Sequence, residues 1–127
     1  MQDLIQRYTD AWGSRDPDQI VALHTEDTTF HAHAGQEPSR GKAAVRQAFA
    51  DLFTQFPDLA FAPVALRTGS DFWVVEWKMR GTLAATGAAF DVDLLDVVTV
   101  EDGLVKSKDS YLDAVSMQAQ LGLVTAQ

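Results

Sequence analysis

The sequence predicts an α+β fold with a largely antiparallel sheet. Three observations carry this. Apolar residues recur at helical spacing mainly in the first half of the chain, and alternation of strand type dominates the second half. The late strands are joined by short, turn-like connections. Helices followed by hairpin-linked strands belong to the α+β class, in which helices cover one face of an antiparallel sheet. The element order reads α-α-β-α-β-β-β-β-α, with no long linker, internal repeat or low-complexity segment.

Each element has its own signal. Leu4, Ile5, Tyr8, Ala11 and Trp12 define one face of a first helix, which Gly13 and Ser14 end. In "DPDQ", Asp16 suits the N-cap, Pro17 suits the first helical position, and Gln19 completes a capping-box pattern. A short second helix is expected to run to about His24. "TEDTTFHAH" is rich in β-branched and aromatic residues and reads as a strand, followed by the loop "AGQEPSRG". Val45, Ala48, Phe49, Leu52 and Phe53 form the apolar stripe of a third helix starting near Lys42. Strands are expected at Leu59–Arg67, with Pro63 marking an edge or bulge, and at Phe72–Gly81, Phe90–Val100 and Leu104–Leu112. "EDG" at Glu101–Gly103 is a tight hairpin signal. Asp113 can cap a last short helix that Gly122 stops.

Composition narrows the function. The chain has 127 residues, enough for one domain with one core, and 46% of them are hydrophobic. Residues 1–127 are read as a single domain. The net charge of −8 comes without a basic stripe, so neither nucleic acid nor an anionic membrane is an expected partner. There is no cysteine, which excludes disulfides and thiolate chemistry. "MQDLIQRY" lacks the pattern of a signal peptide, and no apolar run approaches spanning length, so a cytoplasmic location is expected.

Alternation assigns faces to the strands. In "FWVVEWKMR", Trp73, Val75, Trp77 and Met79 share a face that is buried or lines a cavity. In "VDLLDVVTV", Asp96 is the only charge in the row Val92, Leu94, Asp96, Val98, Val100. A buried carboxylate is costly to ionise, so Asp96 must hold a proton, find a partner or be turned outward by a bulge. Tyr8 lies on the apolar face of the first helix, where its hydroxyl needs a partner if it is buried. Period two places Val105, Ser107, Asp109 and Tyr111 on one face of the last strand. Asp109 and Tyr111 are an acid–base candidate there if that face is the cavity side. His31 and His33 lie on the face opposite Phe30, Ala32 and Ala34. His-x-His is a spacing that metal sites use, but a site needs a third ligand, and neither Glu26 nor Glu37 is marked as one. No metal or cofactor is expected. A glycine-rich phosphate loop and a G-x-S-x-G elbow are both missing from the sequence.

Taken together, "QRYTDAWGSRDPDQIVALHTEDTTFHAHAG", "RGKAAVRQAF", "FPDL", "VEWKMRGT", "VEDGLV" and "YLDAVSMQAQLGL" resemble the nuclear transport factor 2-like superfamily. The resemblance is to its SnoaL-like polyketide cyclase and ketosteroid isomerase branches. It implies a cone in which a curved sheet wraps around the N-terminal helices and encloses an apolar pocket, and it implies a homodimer. Ketosteroid isomerases use a tyrosine and a protonated aspartic acid as an oxyanion hole and an aspartate as base. The resemblance places Tyr8 and Asp96 at the first two positions and Ala32 at the third. Alanine cannot abstract a proton, so the base must be His33, reaching in from a twisted strand end, or Asp109. The cyclase branch favours Asp109, with Asp113 behind it.

The expected function is binding of a small, largely apolar carbonyl compound among Trp12, Phe30, Ala32, Phe49, Trp73, Trp77, Met79 and Tyr111. The expected reaction is cofactor-free proton transfer, as in aldol cyclisation or double-bond isomerisation. One alternative is a non-catalytic binding module of the same fold. Another is a hydrolase or dehydratase that uses His33 with Asp109.

Overall fold

The first helix, α1 (Gln2–Ser14), buries Leu4, Tyr8, Ala11 and Trp12 along the predicted face. It ends on Arg15, whose φ of 57° places a non-glycine residue in the left-handed region. Asp16 caps α2 (Pro17–Val21), its side chain accepting the Asp18 N–H. This helix stops short of its expected end, and His24 instead opens strand β1 (His24–His33). A two-residue strand, β2 (Ser39–Arg40), lies inside the predicted loop, and α3 (Lys42–Gln55) follows with Val45 and Phe49 fully buried. The remaining strands are β3 (Ala60–Thr68), β4 (Phe72–Thr82), β5 (Ala89–Glu101) and β6 (Leu104–Leu112), with α4 (Ala114–Gln120) last. This computed structural model describes residues 1–123.

The six strands form one curved sheet in the order β2-β1-β6-β5-β4-β3. All neighbours are antiparallel except β1 and β6, which run parallel. The β5–β6 turn has positive φ at both Asp102 (52°) and Gly103 (75°), the geometry that matches the twist of a two-residue hairpin. The strand register shifts at three places: between His24 and Thr29 of β1, and by one-residue bulges between Pro63 and Ala65 of β3 and in the β5–β6 pair. In that last pair, Thr99 lies opposite Ser107 and Val100 opposite Val105, so β6 carries one extra residue. The extra residue decides which β6 side chains face inward.

The inner face packs against the helices. Leu4, Tyr8, Trp12, Ile20, Val45 and Phe49 meet Trp73, Val75, Val98 and Val105 in one cluster. A second cluster joins Phe56, Leu59, Met79, Phe90, Val92 and Leu94 to Leu121 just beyond α4. Gln120 ties α4 to β5: its side-chain oxygen accepts the Asp91 N–H and its amide donates to the Asp91 carbonyl. No helix among the described residues is long and apolar enough to cross a membrane.

Candidate functional site

Between the helices and the inner face of the sheet lies a cavity of about 490 Å³. Its walls are mostly apolar: Trp12, Phe30 and Ala32 on one side, Trp73, Trp77 and Met79 on the other, with Met117 and Leu121 near α4. The size and character suit a small, largely apolar molecule. The polar groups that line it include Tyr8, Asp96, Lys108 and Ser110.

Asp96 is 4% exposed, and its carboxylate accepts three hydrogen bonds. Ser110 donates to Oδ1 at 2.6 Å, while Lys108 Nζ and Trp77 Nε1 donate to Oδ2 at 2.8 and 3.1 Å. Lys108 is 6% exposed, so the two form a buried ion pair. The ammonium also lies 4.9 Å from the ring centre of Trp12 and 5.8 Å from that of Tyr8, within cation–π range. Removing two charges from water is costly, and it is tolerated here because each has hydrogen-bond partners or aromatic faces around it.

A second network lies behind Tyr8. The Tyr8 hydroxyl is 2.9 Å from His24 Nε2, His24 Nδ1 is 2.8 Å from Thr28 Oγ1, and Thr28 Oγ1 donates to the Lys106 carbonyl at 3.0 Å. These contacts assign the protons. Thr28 has spent its only hydrogen on Lys106, so it must accept from His24 Nδ1–H. Nε2 is then the free lone pair, and Tyr8 O–H donates to it. His24 is buried, and burial, reinforced by the charges of Lys108 and Lys42, holds its imidazole down to about 3. It is neutral at ordinary pH. Burial pushes the Tyr8 phenol far up; the nearby Trp12 N–H opposes this, and the charge of Asp96 adds to it. That N–H has no hydrogen-bond partner of normal geometry, which makes Trp12 Nε1 an unpaired buried donor in the cavity wall.

The structure brings together Tyr8, Asp96, Trp12, Phe30, Ala32, Trp73, Trp77 and Met79 around the cavity. It places four other expected residues elsewhere. Asp109 and Tyr111 are on the outer face of β6, because the bulge turns Lys108 and Ser110 inward in their place. His33 is on the outer face of β1, where Nε2 lies 2.8 Å from Asp109 Oδ1 and the ring stacks on Tyr111 at 4.1 Å. Neither His33 nor Asp109 reaches the cavity as a base. Phe49 is packed behind Trp12 and Phe30, in the core rather than on the wall. Two roles also change. Asp96 accepts from an ammonium instead of donating as a neutral acid, and the Tyr8 proton is committed to His24. Sequence reasoning missed His24, Lys108 and Ser110. The only sequence signal for the last two was the need of Asp96 for a partner.

A family model for the SnoaL-like domain matches residues 5–108. Several solved structures share the whole fold. A protein of ketosteroid isomerase-like fold from Catenulispora acidiphila is 18% identical, with a TM-score of 0.86 over 95% of this chain and 93% of that one. A protein provisionally named a SnoaL-like polyketide cyclase, from Jannaschia, is 20% identical, with a TM-score of 0.86 over 97% of this chain and 92% of that one. TsrD from Streptomyces laurentii is 23% identical, with a TM-score of 0.80 over 97% and 95%. At such identities the likeness establishes the fold, a ketosteroid isomerase-like cone, and leaves activity to be argued from the site. With the family match running from α1 into β6, the chain belongs to the SnoaL-like domain family.

Proposed function

We propose that the protein binds a small, largely apolar carbonyl compound in the cone and moves a proton on it without a cofactor. The reading rests on one observation: a buried Asp96–Lys108 ion pair beside the unpaired Trp12 N–H, in a cavity that is otherwise mostly apolar. Among the described residues lining the cavity, Asp96 is the only carboxylate. Its two oxygens offer about four acceptor sites, and three are used, so one remains for a substrate proton. In this reading Asp96 takes the proton from the carbon next to the carbonyl. The electron pair of that C–H bond moves into the enolate, whose oxygen is held by Lys108 and Trp12 N–H groups. Returning the proton at another carbon gives isomerisation; attack of the enolate carbon on a second carbonyl forms an alkoxide that takes the proton back from Asp96 and gives an aldol product. That a structural neighbour carries a polyketide cyclase name is consistent with the second outcome.

The non-catalytic binding module is the second reading. It is favoured by Ala32 at the resemblance-implied base position and by the commitment of the Tyr8 proton to His24. One pair of measurements separates the two. A polycyclic phenol such as equilenin, as an enolate mimic, is expected to quench tryptophan fluorescence on binding. Lys108→Met should weaken it about 10-fold or more and Trp12→Phe about fivefold, the worth of a charged and a neutral hydrogen bond. Deuterium uptake by small cyclic enones in D2O is then followed by NMR. Uptake that Asp96→Asn abolishes, with phenol binding retained, supports proton transfer. Phenol binding without any wash-in supports the binding module. Phenol affinity unchanged by both Lys108→Met and Trp12→Phe would sink the placement of the enolate oxygen.

A further inference from the structure

We propose that His31, His33 and Asp109 form a binding site for a divalent transition ion of the zinc or cobalt class, on the outer face of the sheet. One ring nitrogen from each histidine and one carboxylate oxygen of Asp109 lie within 4.8 Å of one another. The topology makes this constellation. His31 and His33 share a face of β1 because side chains alternate along a strand. The parallel pairing places Asp109 of β6 directly opposite His31. The third ligand that the His-x-His spacing lacked in sequence therefore comes from the far end of the chain.

The ligands are held before any ion arrives. His31 Nε2 donates to the Gln36 carbonyl at 2.9 Å, which leaves Nδ1 as its lone-pair nitrogen. Backbone support of this kind orients metal-bound imidazoles. The His33 ring is clamped between His31, 3.8 Å away centre to centre, and the parallel face of Tyr111 at 4.1 Å. His33 Nε2 and Asp109 Oδ1 are 2.8 Å apart, so a separation of about half an ångström or more would open them to the roughly 3.3–3.6 Å edge that ligand bonds of about 2.0–2.2 Å make in a tetrahedral site. Metal binding would replace the proton now shared by that pair. Two imidazoles and one carboxylate suit zinc, cobalt or nickel rather than calcium or magnesium. All three residues are only partly buried, so a coordination position stays open outward.

The site is separate from the chemistry proposed above. Ala32 and Ser110, the neighbours of these ligands along β1 and β6, point into the cavity, so the ion would lie on the other side of the sheet. Its direct effect would be to clip β1 to β6.

The test uses the whole chain after dialysis against EDTA, titrated with Co(II) and followed by visible absorption, with Zn(II) as competitor and melting temperature as a second readout. One saturable equivalent, a d–d band that zinc displaces, and a zinc-dependent rise in melting temperature are expected. His33→Ala and Asp109→Ala should each weaken binding by more than the roughly 10–100-fold that an orienting partner costs. Circular dichroism checks that both variants are folded. If either is not, His33→Gln and Asp109→Asn replace them and should lose the band in the same way. Absence of the band and of the melting shift, or a band that survives in these variants, overturns the site.

Discussion

Asp96→Ala is expected to lower the unfolding free energy by about 3–5 kcal/mol, the cost of stranding one charge of a buried pair. The stranded group is Lys108, whose side chain is 7% exposed and whose ammonium would keep only the faces of Trp12 and Tyr8. Lys108→Met should cost less, because Asp96 retains Ser110 and Trp77 as donors. The double variant Asp96→Ala/Lys108→Met should be more stable than the sum of the two losses, since no charge is left buried. A urea-unfolding cycle on the four proteins measures this coupling. Strictly additive losses would mean that the two groups do not depend on each other, and the account of the buried Asp96–Lys108 pair would fail. The cycle also separates stability from function, because a folded double variant should still bind the phenol about 10-fold or more weakly, as Lys108→Met does.

His24 supplies the second large effect, and it is a dependence on pH. Its imidazole titrates at about 3 in the folded chain and at about 6.5 when unfolded. Above pH 6.5 neither state binds the proton, and the full stability of the neutral, buried ring is present. Below 6.5 the unfolded chain takes up a proton that the folded chain refuses, so stability falls as the pH drops from 6.5 toward 3. The slope is about 1.4 kcal/mol per pH unit, or roughly 2 kcal/mol between pH 6.5 and 5. Most carboxylates are still ionised over that interval, and comparison with a His24→Gln variant separates this ring from His31 and His33. His24→Gln should be less stable at pH 7, having lost the Tyr8 and Thr28 contacts, but should have a flatter profile. Parallel profiles for the two proteins would show that the ring is not held neutral.

The fold was largely legible in the sequence because its signals are local. Asp16 caps α2, Asp102 and Gly103 turn the β5–β6 hairpin, and the Val45–Phe49 stripe buries α3, each as read. The cavity wall on β4 was legible for the same reason: alternation from Trp73 to Met79 is unbroken there. The polar group around Asp96, with Lys108 and Ser110, was not. An unbroken count back from the Asp102–Gly103 turn sets Asp109 against Asp96, two carboxylates face to face. The bulge in β6 inserts one residue and sets Ser110 there instead, with Lys108 beside it. Period two has no memory of such an insertion, so it groups Ser107, Asp109 and Tyr111 with the inward-facing Val105, whereas Lys108 and Ser110 are the residues that line the cavity. His24 was hidden differently. The 16 positions that separate it from Tyr8 carry no pattern, and only the tertiary fold brings the hydroxyl and the ring together.

The parallel pairing of β1 with β6 also sets an order of assembly. Strands β4, β5 and β6 meet through short connections, so their contacts close small loops. By contrast, Thr28 reaches Lys106 across 78 positions, and almost the whole chain must be in place before β1 has a neighbour on that side. Closing so long a loop is entropically expensive and comes late. The meander should therefore form first, with the helical half docking onto it in the final descent from the transition state. Stopped-flow kinetics on Thr28→Ala should show faster unfolding with little change in the refolding rate. A matching slowdown of refolding would instead put the β1–β6 seam in the nucleus. On a ribosome, the same geometry means that β1 emerges long before its partner strand has been synthesised.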